Sequence, residues 1–170
     1  IEGLKAVKNN LLKVYIDLGN IEARAGMSFA ALTSGIGLAN AGVGLVHGFA
    51  SSVGGRYDIP HGLVCGTLMA VSNEINVREL RKGRGDQSAL KKYALLGKLF
   101  CEDEGSSDEI LIDRFIEYLH KLTENLDLQT LSHAGVKVED LKEICIQTEC
   151  KSNPVKIEPD EMMEILLRRL

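Results

Sequence analysis

Features that would indicate a nucleic-acid-binding protein are absent. Acidic residues outnumber basic ones by 24 to 20, which gives the chain a net charge of −4 at pH 7. Aromatic residues make up only 5% of the chain, and none is interleaved with a basic stripe. Because Lys and Arg contacts with phosphates supply much of the affinity for nucleic acid, we expect no nucleic-acid partner.

Strand-like alternation of apolar and polar residues is also absent, as are internal repeats and low-complexity segments. Apolar residues instead recur at helical spacings of three and four, so the sequence predicts an all-α protein. We expect a single helical domain over residues 1–170, with about seven to nine helices.

Paired cysteine motifs are missing, because Cys65, Cys101, Cys145 and Cys150 form no CxxC pair. No signal-peptide pattern occupies the first residues. Reduced thiols in a cytoplasmic protein are therefore expected. The chain also lacks an initiator methionine, and its first helical pattern is already running at Ile1. We therefore expect the sequence to begin inside a longer protein.

The uncharged run from Ala25 to Gly55 raises the alternative of a transmembrane helix. It contains Gly44-x-x-x-Gly48, a spacing found where membrane helices pack closely. Against this alternative, the run is diluted by small and polar residues, and no Lys/Arg cluster or aromatic belt flanks it. We therefore predict that the chain spans no membrane, and that its second helix, apolar on all sides beyond Ala25, enters a protein core.

Caps and breakers predict where the helices begin and end. Asn20 can cap the second helix, a Gly-Gly pair at 54–55 ends the third, and Pro60 begins the fourth. The polar segment RKGRGD at 81–86 is expected to form a surface turn. Further helices are predicted near residues 87–102, 107–126, 138–149 and 159–169.

Two of the four histidines, His47 and His61, lie near the ends of the segment 42–62, GVGLVHGFASSVGGRYDIPHG. A straight helix would separate them by about 21 Å, whereas the breakers at Gly54-Gly55 and Pro60 allow the chain to fold back. Their ring nitrogens are then expected within about 5 Å, as for two ligands at ~2.1 Å from one metal ion. For His47 taken alone, a hydrogen-bonded core histidine is the alternative interpretation.

The remaining histidines and a glycine pattern are weaker candidates. His120, on the predicted helix 107–126, and His133 are expected to face solvent and to bind no metal. The pattern G-x-G-x-x-x-G that begins at Gly42 resembles a loose dinucleotide fingerprint. Such a fingerprint requires a preceding strand, and the context here is helical, so close helix packing is the preferred interpretation.

The residues around His47 and His61 resemble the metal-binding signature of the iron-containing (group III) alcohol dehydrogenases. That signature reads Gly, two residues, His, two residues, Ala-His, two residues, Gly, five residues, Pro-His-Gly. The matching positions are Gly44, His47, Ala50, Gly54, Pro60, His61 and Gly62. The similarity covers essentially all of the chain, from IEARAGMSFAALTSGIGLANAG to CKSNPVKIEPDEMMEIL, but not the family's usual length.

The resemblance implies the helical metal- and substrate-binding domain of an NAD- or NADP-dependent alcohol dehydrogenase. His47 and His61 fall on two ligand positions for Fe²⁺ or Zn²⁺, and an Asp and a His upstream of this chain would supply the others. The ion would act as a Lewis acid on a small alcohol or aldehyde, and hydride would pass to the nicotinamide in a separate α/β domain. A homodimer or higher homo-oligomer is expected, and the isolated chain is expected to be inactive.

Ser51 departs from the family signature, which has a second histidine at this position. One helical turn after His47, it is predicted to face the same cavity and is the candidate catalytic residue for proton transfer. A histidine there can hold a proton near pH 7, whereas a serine hydroxyl only passes one along hydrogen bonds. Ser51 also favours an alternative function, a non-catalytic helical oligomerisation module that keeps the family scaffold.

Overall fold

The computed structural model describes all 170 residues as α-helices joined by turns. The eight helices are α1 (Glu2–Ile16), α2 (Ile21–Ala41), α3 (Leu45–Gly54), α4 (His61–Arg81), α5 (Ser88–Cys101), α6 (Asp108–Asn125), α7 (Leu141–Gln147) and α8 (Pro159–Leu167). No strand is present, so the all-α prediction is confirmed. The chain divides into two compact units, Ile1–Gly42 and Val43–Leu170.

The first unit is the helix pair α1–α2. As predicted, Asn20 caps α2, because its side-chain oxygen accepts a hydrogen bond from the Ala23 N–H at 2.9 Å. The two helices approach closely at Gly26, where an added Cβ would lie 2.2 Å from the side-chain nitrogen of Asn10. The glycine therefore allows the Asn10 side chain of α1 to lie against the backbone of α2.

The prediction that α2 becomes a buried core helix is wrong. Only Ala23 and Ala30 are buried among its 21 residues. Apolar side chains farther along are exposed, including Leu32 at 64% and Ile36 at 57%. Within a two-helix unit, α1 can cover one stripe of α2 and leaves its other faces open.

The hydropathy of the helices bears on the transmembrane alternative. No single helix is long and apolar enough to cross a membrane. Only α2 and α3 taken as a pair have the length and apolar composition of a membrane span.

Helix α4 is the centre of the second unit. Apolar residues recur along it at spacings of four and three and form a continuous buried stripe. This stripe packs against α3, α5, α6 and α8. The largest fully buried side chains of the unit include Phe49, Leu68, Ile75, Leu80, Leu111 and Ile165.

The predicted helix over 138–149 is shorter than expected. The structure has a 3-10 turn at Val138–Asp140, followed by α7. The backbone of Thr148 is extended, which ends α7, and its hydroxyl donates to the Ile144 carbonyl at 2.7 Å. Side-chain hydrogen bonds of this kind compete with continued helix formation.

The predicted surface turn at 81–86 is anchored by a buried carboxylate. The side chain of Glu79, only 1% exposed, accepts hydrogen bonds from Lys82 at 2.8 Å and from Arg84 at 2.7 Å. Arg78 donates to the same carboxylate at 2.8 Å. These hydrogen bonds lower the pKa of Glu79 to about 2 despite its burial. The turn therefore lies at the surface, as predicted, and Lys82 and Arg84 of the turn pair with a buried carboxylate.

Candidate metal centre

Helix α3 is held in place at its first turns. The Leu45 N–H donates to the side-chain oxygen of Asn153 at 3.2 Å. At Gly48, an added Cβ would lie 2.0 Å from the carbonyl oxygen of Glu149. A side chain at position 48 would therefore push α3 away from this segment. Close packing is therefore present at Gly48, but against the segment that follows α7 and not, as the glycine pattern had predicted, against another helix.

The loop between α3 and α4 reverses the chain, as the breakers predicted. α3 ends at Gly54, and Pro60 stands at the N-cap of α4. Asp140 holds the loop, because it accepts a hydrogen bond from the Tyr57 hydroxyl and pairs with Arg56 at 2.8 Å. The Tyr57 hydrogen bond, together with Arg56, lowers the pKa of Asp140. An ionised carboxylate therefore fixes the reversal that brings the start of α4 beside α3.

This reversal brings the two predicted histidines together. Nδ1 of His47, on α3, lies 3.1 Å from Nε2 of His61, the first residue of α4. Their ring centroids are 5.2 Å apart, with the planes inclined by 40°. The predicted approach of the two ring nitrogens to within about 5 Å is therefore confirmed. The alternative of a hydrogen-bonded core histidine is wrong, because both histidines are exposed.

The surroundings of His47 favour its neutral form. Partial burial is the largest cause, and the neighbouring His61 adds to it by repelling a second positive charge; both lower the pKa of His47. A neutral imidazole keeps a lone pair on one ring nitrogen, which is the form that binds metal.

A third donor group was missed by the sequence interpretation. Cys65 lies one turn after His61 on α4, and its sulfur and the ring nitrogens of His47 and His61 all lie within 4.8 Å of one another. The sequence signal was the spacing of four between His61 and Cys65, which places both on one helix face. It was overlooked because Cys65 stands in an apolar run, and burial does raise the pKa of its thiol.

Ser51 faces the cleft beside His47, as predicted. The cleft has a volume of about 280 Å³ and is lined by residues including His47, Ser51, Gln147, Glu149 and Lys151. The Ser51 hydroxyl donates to the carbonyl oxygen of His47, one turn earlier, at 3.0 Å. Its proton is therefore engaged by the backbone, and the hydroxyl would have to rotate before it could donate elsewhere.

The other histidines do not join this group. Nε2 of His120 lies 2.7 Å from a carboxylate oxygen of Glu74, which also pairs with Arg168 at 2.7 Å. The expectation that His120 simply faces solvent is therefore wrong, since a neighbouring helix supplies a partner. His133 is exposed, as expected.

The donor set fits a divalent transition metal. Ligands at about 2.0–2.3 Å from a tetrahedral ion lie roughly 3.3–3.8 Å apart. Here the two ring nitrogens are 3.1 Å apart, and all three donor atoms lie within 4.8 Å of one another, so small side-chain movements would bring them to one ion. Imidazole and thiolate are donors that zinc accepts, and imidazole also suits iron. Both imidazoles are open to solvent, so an ion could enter without unfolding the helices.

Comparison with known proteins agrees with this arrangement. Residues 1–170 match the model described as "Fe-containing alcohol dehydrogenase family, C-terminal". Alcohol dehydrogenase 4 of Saccharomyces cerevisiae is 26% identical over 98% of this chain and 42% of its own length. The NADPH-dependent butanol dehydrogenase of Clostridium saccharobutylicum is 26% identical over 97% of this chain and 42% of its own length. The chain thus spans about two fifths of these curated relatives.

Solved structures share the fold. The crystal structure of a 1,3-propanediol oxidoreductase superposes with a TM-score of 0.87 at 25% identity, covering 99% of this chain and 44% of that one. An alcohol dehydrogenase from Oenococcus oeni superposes with a TM-score of 0.85 at 23% identity, over 99% of this chain and 43% of that one.

Proposed function

The chain belongs to the Fe-containing alcohol dehydrogenase family, and from that premise we propose that it provides the metal- and alcohol-binding part of an NAD- or NADP-dependent alcohol dehydrogenase. The observation that carries the proposal is the 3.1 Å approach of His47 and His61 inside the family's signature. The substrate is a small alcohol or aldehyde, and the nicotinamide and two further metal ligands come from parts of the whole protein outside these residues.

In this proposal, His47 and His61 hold the ion at the junction of α3 and α4. When bound, Fe²⁺ or Zn²⁺ supplies Lewis-acid polarisation of an alcohol oxygen. The cleft beside His47, about 280 Å³ in volume, would accept a small alcohol. Lys151 and Glu149, paired at 2.7 Å, also line the cleft and would hinder the entry of larger substrates.

Removal of the metal tests the proposal. We expect the whole protein, treated with a chelator, to lose at least ~100-fold in turnover of a short primary alcohol, because metal polarisation is worth several kcal/mol. Adding back Fe²⁺ or Zn²⁺ should restore the rate. Activity is measured as nicotinamide reduction, with the isolated 170-residue chain as the inactive control. Full turnover after complete removal of the metal would contradict the proposal.

In the proposed enzyme, Ser51 would relay protons through its hydroxyl, which does not titrate near neutral pH. Replacing Ser51 by His in the whole protein is expected to introduce an inflection in turnover near pH 6.5, because imidazole can store the proton that the hydroxyl only passes on. The rate could also rise, since general acid–base help is typically worth about 10²–10⁴-fold where proton transfer is limiting.

The measurement compares wild type, Ser51→His and Ser51→Ala between about pH 5.5 and 8.5. The alanine variant is the matched control, since it removes the hydroxyl without adding a titrating group. Identical profiles and rates for all three proteins would show that position 51 takes no part in proton transfer.

The second candidate function is the non-catalytic oligomerisation module, and Ser51 is the residue that favours it. Its hydroxyl donates to the His47 carbonyl within α3, so this hydrogen bond stabilises the helix and does not bind a substrate. This candidate predicts a whole protein that assembles into homodimers or larger homo-oligomers but oxidises no alcohol with metal present. Turnover together with light-scattering mass separates the two functions.

A further inference from the structure

We propose that Cys65 acts with His47 and His61 as a third metal ligand, so that this chain alone carries a two-nitrogen, one-sulfur site for a soft divalent ion. The inference deepens the proposed function, because it shares the two histidines, but it assigns a new ligand and a metal preference. It rests on the placement of three donor atoms within 4.8 Å of one another.

The geometry of α4 places the sulfur on the correct face. His61 is the first residue of the helix and Cys65 follows four positions later, so their side chains lie on the same side, one turn apart. His47 approaches from α3 and supplies the third donor, with its Nδ1 3.1 Å from Nε2 of His61. Two helices therefore contribute to one site, and their packing holds the donors in place.

The burial of the three residues also suits a metal site. The imidazoles are exposed and give an ion access from solvent, whereas Cys65 is partly buried. None of the four cysteines is in a disulfide, so the Cys65 sulfur is available as a ligand. On binding, the thiol would release its proton to solvent and the sulfur would coordinate as the thiolate.

The donor set predicts which ion is preferred. Thiolate is a soft ligand that favours Zn²⁺. The affinity of a given site with nitrogen and sulfur ligands also generally rises from Fe²⁺ to Co²⁺. We therefore expect this chain to bind Zn²⁺ and Co²⁺ in preference to Fe²⁺, although its family is known for iron.

Cobalt provides a direct test, because thiolate coordination gives Co²⁺ a near-ultraviolet charge-transfer absorption that imidazole coordination lacks. The 170-residue chain is titrated with Co²⁺ under reducing, anaerobic conditions. We expect wild type and the control Cys150→Ser to develop this absorption at one ion per chain. Cys65→Ser should lose it while retaining weaker visible bands from the histidines. Zn²⁺ should abolish the absorption at stoichiometric amounts, and Fe²⁺ only in excess.

Alkylation provides a second readout that needs no substitution. Zn²⁺ should protect Cys65 of the wild-type chain from iodoacetamide but leave Cys150 as reactive as before, as measured by peptide mass mapping. Charge-transfer absorption that persists in Cys65→Ser, or Co²⁺ binding without it in wild type, would overturn the ligand assignment and leave the histidine site intact. Absence of Co²⁺ binding and of Zn²⁺ protection would overturn this proposal too, whereas the proposed function is decided separately by metal removal from the whole protein.

Discussion

Replacing His47 by alanine in the whole protein is expected to lower metal affinity and alcohol turnover by at least ~100-fold each. Even partners that only orient a ligand cost 10–100-fold when substituted, and His47 would be a ligand itself. The substitution would also remove the imidazole whose Nδ1 lies 3.1 Å from Nε2 of His61. His61→Ala should have an effect of the same size, because each removes one imidazole from the same site.

The measurements are metal content after gel filtration and the rate of nicotinamide reduction. His133→Ala is the matched control, since His133 is exposed and outside the donor group. Circular dichroism would establish that the helices remain folded in each variant. A His47→Ala protein that keeps both its metal and its turnover would show that the imidazole pair has another role.

Replacing Glu79 by glutamine is expected to lower the free energy of unfolding by ~3 kcal/mol at pH 7. The carboxylate is buried and accepts hydrogen bonds from Arg78, Lys82 and Arg84. Charge-assisted hydrogen bonds contribute about 1.5–3 kcal/mol each, and the partly exposed cations recover part of that loss by hydration. The amide would also place N–H donors against the cations, in the position where the buried carboxylate of Glu79, 1% exposed, now accepts.

The effect should depend on pH, because the pKa of Glu79 is lowered from 4.5 to about 2 in the folded chain. The unfolded chain takes up the proton first as the pH falls, so this stabilisation is complete above about pH 4.5 and is lost towards pH 2. The difference between wild type and Glu79→Gln in urea denaturation should therefore shrink over that window.

The exposed Glu124→Gln serves as the control and should change stability by less than ~0.5 kcal/mol at any of these pH values. If Glu79→Gln behaves like Glu124→Gln at pH 7, the buried ion pairs contribute nothing net to stability. A wild-type advantage that stays constant down to pH 2 would instead mean that the pKa of Glu79 is not lowered.

Local sequence signals were sufficient for most helices of the second unit, α7 excepted, and for the histidine pair. The Gly-Gly breaker at 54–55 and Pro60 act on the backbone within a few residues, so they predict a chain reversal without knowledge of the core. Because the reversal is short, it also predicts that His47 and His61 meet. The Asn20 cap is equally local, as its bond to Ala23 spans three residues.

Other features depend on which surfaces pack together, and no local pattern in the sequence predicts them. The exposure of α2 is set by the single helix packed on it within its unit, whereas its apolar sequence alone predicted burial. The burial of Glu79 depends on tertiary packing, and the turn at 81–86 places Lys82 and Arg84 beside its carboxylate.

The candidate site divides in the same way. Sequence by itself determined the family, the two histidines and the departure at Ser51, because those depend on residue type and spacing. Only the tertiary structure decided that the sulfur of Cys65 lies with both imidazoles, and that the Ser51 hydroxyl is already engaged by the His47 carbonyl. Spacing along a chain limits which residues can meet, but the packing of α3 on α4 sets the distances and directions on which ligation and proton transfer depend.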